Sequence, residues 1–346
     1  MHRYLIAAMA LIAGLAPAGP ALAQDVWRFA IEEISGSVQD AYVQEFKKRI
    51  EAKSGGAVRV QIYPYGSLGT IEDIIELAAM GAIQFSNASP GHLGKLLPEV
   101  QVLSIPYLLS ENDDVNKDVL RNSRVLYGSI GAELAERGLK LLTIYPEGKM
   151  VWTTNRPIRD PEDFKNFKMR TMNSPILIEA YRAFGASPTP LPYSEVYGGL
   201  QLHIIDGQVN PVFAIEEMKF YEVSDYMIWA GQQTFTTTVV TNSDWYKALP
   251  REQRRWIDET VDEMVDVIFD IARDYNYERL EIIRKNAPDL EFIQLSAEER
   301  AAFKERAKAL HKTFIKMAGP KGADILDRLQ REIGEAEERL KAEPSG

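Results

Sequence analysis

Three features of the chain predict an α/β fold built as two lobes tied together by a long helix. The first is a β-α-β-α-β alternation of strand and helix signals between Val26 and Ser86. The second is the restart of that alternation in the second half of the chain, with strands at Lys168–Thr171, Thr189–Leu191 and Gln208–Asn210 and helices at Ile176–Phe184 and Glu195–Leu202. The third is Arg251 to Asn286, which holds neither proline nor glycine and repeats apolar residues at helical spacing. At 1.5 Å per residue such a helix spans roughly 54 Å, more than one small lobe. A chain of 346 residues has room for two ordinary domains.

Taken in order, the chain opens with His2 and Arg3, an apolar stretch from Tyr4 to Ala16 and a small-x-small site at Ala21-Leu22-Ala23. That is the pattern of a cleaved secretory signal over residues 1–23, leaving Gln24 as the first mature residue and the periplasm as destination. No cysteine occurs anywhere, which excludes disulfides, thiolate metal sites, cysteine nucleophiles and a lipid anchor at the cleavage site. Val26–Ile31 alternates as a strand, and an amphipathic helix from Val38 to Ala52 carries Tyr42, Phe46 and Ile50 on one face. A strand at Val58–Tyr63, a helix at Ile71–Met80 and a strand at Ile83–Ser86 complete the first unit. Beyond a buried run at Val100–Leu109 and a helical region to Arg137, two strands, Leu139–Tyr145 and Met150–Thr154, flank the turn Pro146-Glu147-Gly148. This is the first expected crossing between lobes, and the β-branched stretch Thr234–Thr241 is the return. After the long helix, Ser296 to Glu299 is a capping box and Gly319-Pro320 a break before a last charged helix.

In open α/β sheets ligands sit beyond the carboxyl ends of strands, where the following helices offer unpaired N–H groups. Arg170, Tyr193 and Asn210 fall at such ends in the second half, and Glu32, Glu33, Asn87 and His92 in the first. Arg170 precedes Asn173-Ser174-Pro175, the start of a helix, so an anion is favoured there by a planar fork of donors and by a positive helix end. Each residue has a plainer reading as well. Arg170 could be a solvated or salt-bridged surface arginine, Asn210 before Pro211 a turn residue, Tyr193 a packed aromatic, the glutamates a solvated pair, and His92 a packed or capping side chain.

The formal charge of −10 argues against nucleic acid or an anionic membrane as partner. No nucleophile elbow, zinc-protease helix, dinucleotide loop or P-loop is present, and the four histidines are too scattered for a metal cluster. The reading is therefore a binder rather than an enzyme, with no cofactor and no metal.

At this point the motifs resemble a known family. FKMRTMNSP, GASPTPLPYSEVYGGLQ and IIDGQVNP are similar to the arginine motif, central signature and asparagine motif of the extracytoplasmic solute receptors of TRAP transporters. WRFAIEEISGSVQDAYVQEFK, IQFSNASPGHLG, IPYLL and YPEGKMV resemble the ectoine-binding branch. The resemblance implies a two-lobed periplasmic binding protein of type II-like architecture with its ligand in the cleft between lobes. Lobe I would take residues 24–147 and 236–275, and lobe II residues 148–235 and 276–340. It implies a monomer that delivers a small carboxylate-bearing zwitterion, ectoine or hydroxyectoine, to TRAP membrane subunits. The alternative is the same role for a monocarboxylic organic acid, such as a sugar acid or pyroglutamate, or for a C4-dicarboxylate. By the same resemblance Arg170 clamps the carboxylate with Asn210 beside it, Glu33 pairs with the cationic ring nitrogens, and Phe235 forms a wall, with Phe213 close behind Asn210. His92 stands where that branch carries phenylalanine, Tyr193 where it carries tryptophan, and Met150 where sialic-acid members carry a second arginine.

Overall fold

The computed structural model describes residues 24–342; the expected signal segment and residues 343–346 lie outside them. Its strands are β1 (Asp25–Ala30), β2 (Val58–Tyr63), β3 (Phe85–Ala88), β4 (Leu139–Thr154), β5 (Lys168–Thr171), β6 (Ser187–Pro190), β7 (Gly207–Pro211), β8 (Tyr226–Trp229), β9 (Thr234–Asn242) and β10 (Glu291–Gln294). They run β2-β1-β3-β9-β4-β7-β5-β6, with β8 on β4 and β10 on β8. In the first half β1 lies parallel to β2 and β3, and in the second β5 lies parallel to β6 and β7. Helices Val38–Lys53, Ile71–Ala79 and Pro175–Phe184 supply crossovers of these parallel units.

The largest departure from expectation is β4. The two strands and intervening turn read from sequence form a single strand of 16 residues. Its first part, Leu139 to Lys149, pairs antiparallel with β9, and Met150 to Thr154 pairs with β7. Pro146-Glu147-Gly148 is a β-bulge rather than a turn, because a register shift between Pro146 and Gly148 takes up the residue the ladder cannot use. Gly148 has φ +150° there, and a Cβ on it would stand 2.6 Å from Asn276 Nδ2. Strand β3 begins two residues later than expected, so Asn87 sits inside the strand, fully buried, donating from Nδ2 to the Tyr145 hydroxyl at 2.8 Å. His92 belongs to a short helix, Pro90–Leu93, instead of a loop.

The long helix spans Arg251–Asn286 as predicted. Along its first two-thirds Ile257, Val261, Met264, Ile268 and Ala272 pack into a cluster with Trp27, Phe29 and Phe46. Nearer its C-terminus Leu280 and Ile283 join a different cluster with Val151, Val196 and Phe220. One helix thus buries its apolar stripe against both halves, each large side chain contributing about 1.5–3 kcal/mol. The capping box at Ser296 and Glu299 is made in both directions and opens helix Ala297–Ala307. Among the described residues no helix is long and apolar enough to cross a membrane.

Candidate functional site

The strand ends converge on a cavity of about 300 Å3. From the first half it is lined by Glu32 and Glu33 after β1, Tyr65 after β2, Thr70 to Glu72 at a helix start, and His92. The second half contributes Arg170, Met172 and Asn173 at β5, Pro190 to Tyr193 after β6, and Asn210, Pro211 and Ala214 at and after β7. Phe235 of β9 stands between the two sets. Tyr65 and Tyr193 meet edge-to-face across the cavity with centroids 6.5 Å apart.

Arg170 is 3 % exposed. Its Nε and Nη2 both donate to the Leu191 carbonyl, at 3.0 and 2.8 Å, which fixes the plane of the guanidinium. No carboxylate lies within ion-pair distance of it among the described residues, so burial is uncompensated and pulls its pKa down to about 10. Of the plainer readings, a solvated surface arginine is thereby excluded. Asn210, on the neighbouring strand, is also buried and donates from Nδ2 to Gln208 Oε1. Tyr193 is half-buried, with its hydroxyl donating to the Ala214 carbonyl at 3.3 Å and its ring edge-on to Phe220. Burial, above all, drives its phenol pKa well up.

The opposite wall is acidic. Glu32 is 6 % exposed and its Oε1 accepts from the Ser89 amide at 2.9 Å and lies 3.2 Å from His92 Nδ1. His92 Nδ1 is also 3.0 Å from Ser89 Oγ, so one ring nitrogen is committed to these partners. Glu33, half-buried, accepts at Oε2 from the Gln39 amide at 3.2 Å. Behind it Glu147, fully buried, accepts at Oε1 from Gln39 Nε2 at 2.9 Å. Burial, above all, pushes both carboxyls up, and neighbouring carboxylates push the same way: Glu32 on Glu33, and Glu33 on Glu147. Glu217 is likewise pushed up to about 9, first by burial and then by Glu33.

Seven of the nine singled-out residues thus line one cavity: Glu32, Glu33, His92, Arg170, Tyr193, Asn210 and Phe235. Asn87, buried inside β3 against the Tyr145 hydroxyl, does not. Nor does Phe213; it is fully buried in a core cluster with Tyr145 and Val239, because the turn after β7 directs it inward. Met150 is 2 % exposed and lines a different depression. Tyr65 and Met172, missed from the sequence, obey the same strand-end rule that located Arg170. Glu147 carried no such signal, since its burial follows from the β4–β9 pairing. Among the described residues no group of acids and histidines could hold a metal ion.

Comparison with known proteins gives the class. Residues 29–317 match the family described as bacterial extracellular solute-binding protein, family 7, and the chain belongs to that family. Within it, the chain is 41 % identical over 309 residues to the ectoine-binding periplasmic protein TeaA of Halomonas elongata, covering 89 % of this chain and 90 % of that one. It is 39 % identical over 322 residues to the ectoine/5-hydroxyectoine-binding periplasmic protein UehA of Ruegeria pomeroyi, covering 93 % and 94 %. The solved structure of the Halomonas elongata protein, from a TRAP transporter, superposes with a TM-score of 0.86 over 90 % of this chain and all of that one. The two-lobed fold expected from the sequence is the fold of these proteins.

Proposed function

We propose that the protein is the periplasmic receptor of a TRAP transporter and holds ectoine or hydroxyectoine between its lobes. The ligand's carboxylate meets Arg170 and Asn210, its cationic ring nitrogens meet Glu33, and its ring lies between Tyr193 and Phe235 with His92 at the side. The observation that carries this reading is the pairing of opposites across one cavity: a buried guanidinium with no carboxylate partner faces Glu32 and Glu33, neither of which has a lysine or arginine within ion-pair distance among the described residues. Such walls fit a dipolar molecule of defined polarity. A second carboxylate on the ligand would meet Glu32 and Glu33, which disfavours C4-dicarboxylates. The identities of 39–41 % with two ectoine-binding relatives support the same choice.

The lobe boundaries follow the partner switches. β4 changes from β9 to β7 between Lys149 and Met150, and the long helix changes clusters between Ala272 and Leu280. This supports lobe I as 24–147 with 236–275, and lobe II as 148–235 with 276–340. Closure bends these crossings, and the closed form is what the membrane subunits recognise. One chain supplies every wall of the cavity, which supports a receptor that binds as a monomer.

A thermal-shift screen tests the reading, because a ligand that binds only the native state raises the melting temperature. Ectoine or hydroxyectoine should give the largest shift in a panel with betaines, sugar acids, pyroglutamate and C4-dicarboxylates. A shift with one of the other acids and none with millimolar ectoine would overturn the assignment.

A further inference from the structure

Glu147 does not line the cavity, yet its surroundings make sense only in relation to Glu33, which does. The side chain is fully buried, and its one assigned bond, from Gln39 Nε2 to Oε1, leaves Oε2 buried without a donor. Gln39, itself fully buried, ties the acidic wall together: its backbone N–H donates to Glu33 Oε2, its Nε2 to Glu147, and its Oε1 accepts from the Glu32 amide at 2.9 Å. The β-bulge aims Glu147 inward, and Asn276 of the long helix pins it there by donating from Nδ2 to the Glu147 carbonyl at 2.7 Å. Among the described residues the titratable groups facing the pair are Glu32, Glu217 and the phenols of Tyr145 and Tyr193; none is cationic. Two adjacent carboxylates in such a place cannot both be ionised, and a buried oxygen without a donor is satisfied if it carries the proton itself.

We propose that Glu147 is a positioning residue for the cationic half of the ligand: as a neutral carboxylic acid it donates its proton to Glu33, holding Glu33 ionised and aimed into the cavity. The two side chains then act as one unit with a single negative charge. The mobile proton sits on the member that water and ligand cannot reach, and the charge on the member they can. The direction of the titration agrees, since burial pushes both carboxyls up. This proposal rests on the zwitterion reading for its consequence in binding, although the proton itself is a property of the empty protein.

Two measurements separate these. In the infrared difference spectrum of wild type minus Glu147→Gln at neutral pH, without ligand, the carbonyl stretch of an un-ionised carboxylic acid should appear. Its absence would overturn the proposal whatever the ligand proves to be. In calorimetry, Glu147→Leu should weaken ectoine by about ten-fold or more, as for loss of a charge-assisted hydrogen bond, while affecting a monocarboxylate without a cation by less than about three-fold. Glu147→Gln, which restores a donor of the same shape, should recover ectoine binding to within about three-fold of wild type. Loss of ectoine binding in Glu147→Gln as deep as in Glu33→Gln, or equal loss of both ligands in Glu147→Leu, would contradict the assignment. If Glu147→Leu does not fold, the Gln variant and the infrared band decide the matter.

Discussion

The two walls of the cavity treat charge in opposite ways. On the second-half wall a single cation, Arg170, is buried with only a backbone carbonyl for company. On the first-half side Glu32 and Glu33 accept from the Ser89 and Gln39 amides, and Glu147 behind them accepts from Gln39 Nε2 at one oxygen while the other has no donor; among the described residues no lysine or arginine pairs with any of the three. Elsewhere the protein behaves conventionally: Lys53 bridges Glu259 and Glu263, and Glu111 bridges Arg300 and Lys304. Those surface pairs are each worth about 0–1 kcal/mol. Arg170 and Glu33 lack such partners, and in the proposed complex the cost of that arrangement is recovered when the ligand supplies both missing counter-charges.

The sharpest way to break this comparison is Arg170→Ala. Truncating one partner of a buried ion pair costs about 3–5 kcal/mol, so ligand affinity should fall by more than about a hundred-fold. The ligand-free protein should melt no lower than wild type, because a buried charge without a partner has been removed. A ligand-induced melting shift like that of wild type would place the site elsewhere.

Glu217, at the end of the second-half helix Val212–Glu217, makes its own prediction through pH. Glu217 is raised to about 9 in the folded protein, and an unfolded glutamate titrates near 4.3. A raised folded pKa means that this group's contribution is complete below the unfolded value and is lost as pH rises toward the folded one. The slope is at most about 1.4 kcal/mol per pH unit for each proton. Denaturant melts between pH 5 and 9 should therefore show wild-type stability falling with pH, and Glu217→Gln falling less steeply. Parallel curves for the two proteins would show that Glu217 does not hold its proton.

Smaller effects probe the aromatic faces. Tyr193→Ala removes a flat wall and should weaken a delocalised cation by about 1–2 kcal/mol, measured by calorimetry, whereas Tyr193→Phe keeps the face and should change affinity by under about 1 kcal/mol. His92→Phe should change affinity by less still. A Tyr193→Ala effect no larger than that of Tyr193→Phe would mean the ring does not touch the ligand.

What could be read from the sequence was local. The long helix is legible because its apolar spacing persists over 36 residues without a breaker, and the capping box at Ser296 because it is four residues long. Arg170 and Asn210 were placed by a rule about strand ends that needs only β5 and β7 to exist. The misses are non-local. Whether Pro146-Glu147-Gly148 turns or bulges depends on β9, some ninety residues away in the register Pro146 to Thr236, and with it depends the burial of Glu147. β8 and β10 are four residues each, too short for a period, and exist because Tyr226 to Trp229 finds Glu291 to Gln294. Phe213 follows Asn210 closely in sequence, yet the helix start at Val212 turns it into the core.

The central claim, a dipolar ligand spanning Arg170 and Glu33, is tested most directly by titrating ectoine and pyroglutamate, which shares a ring carboxylate but lacks the cation, into wild type and Glu33→Gln. The account predicts that the substitution weakens ectoine by about ten-fold or more, the worth of a charged hydrogen bond, and pyroglutamate by less than about three-fold. Equal losses for the two ligands, or no loss for ectoine, would contradict it.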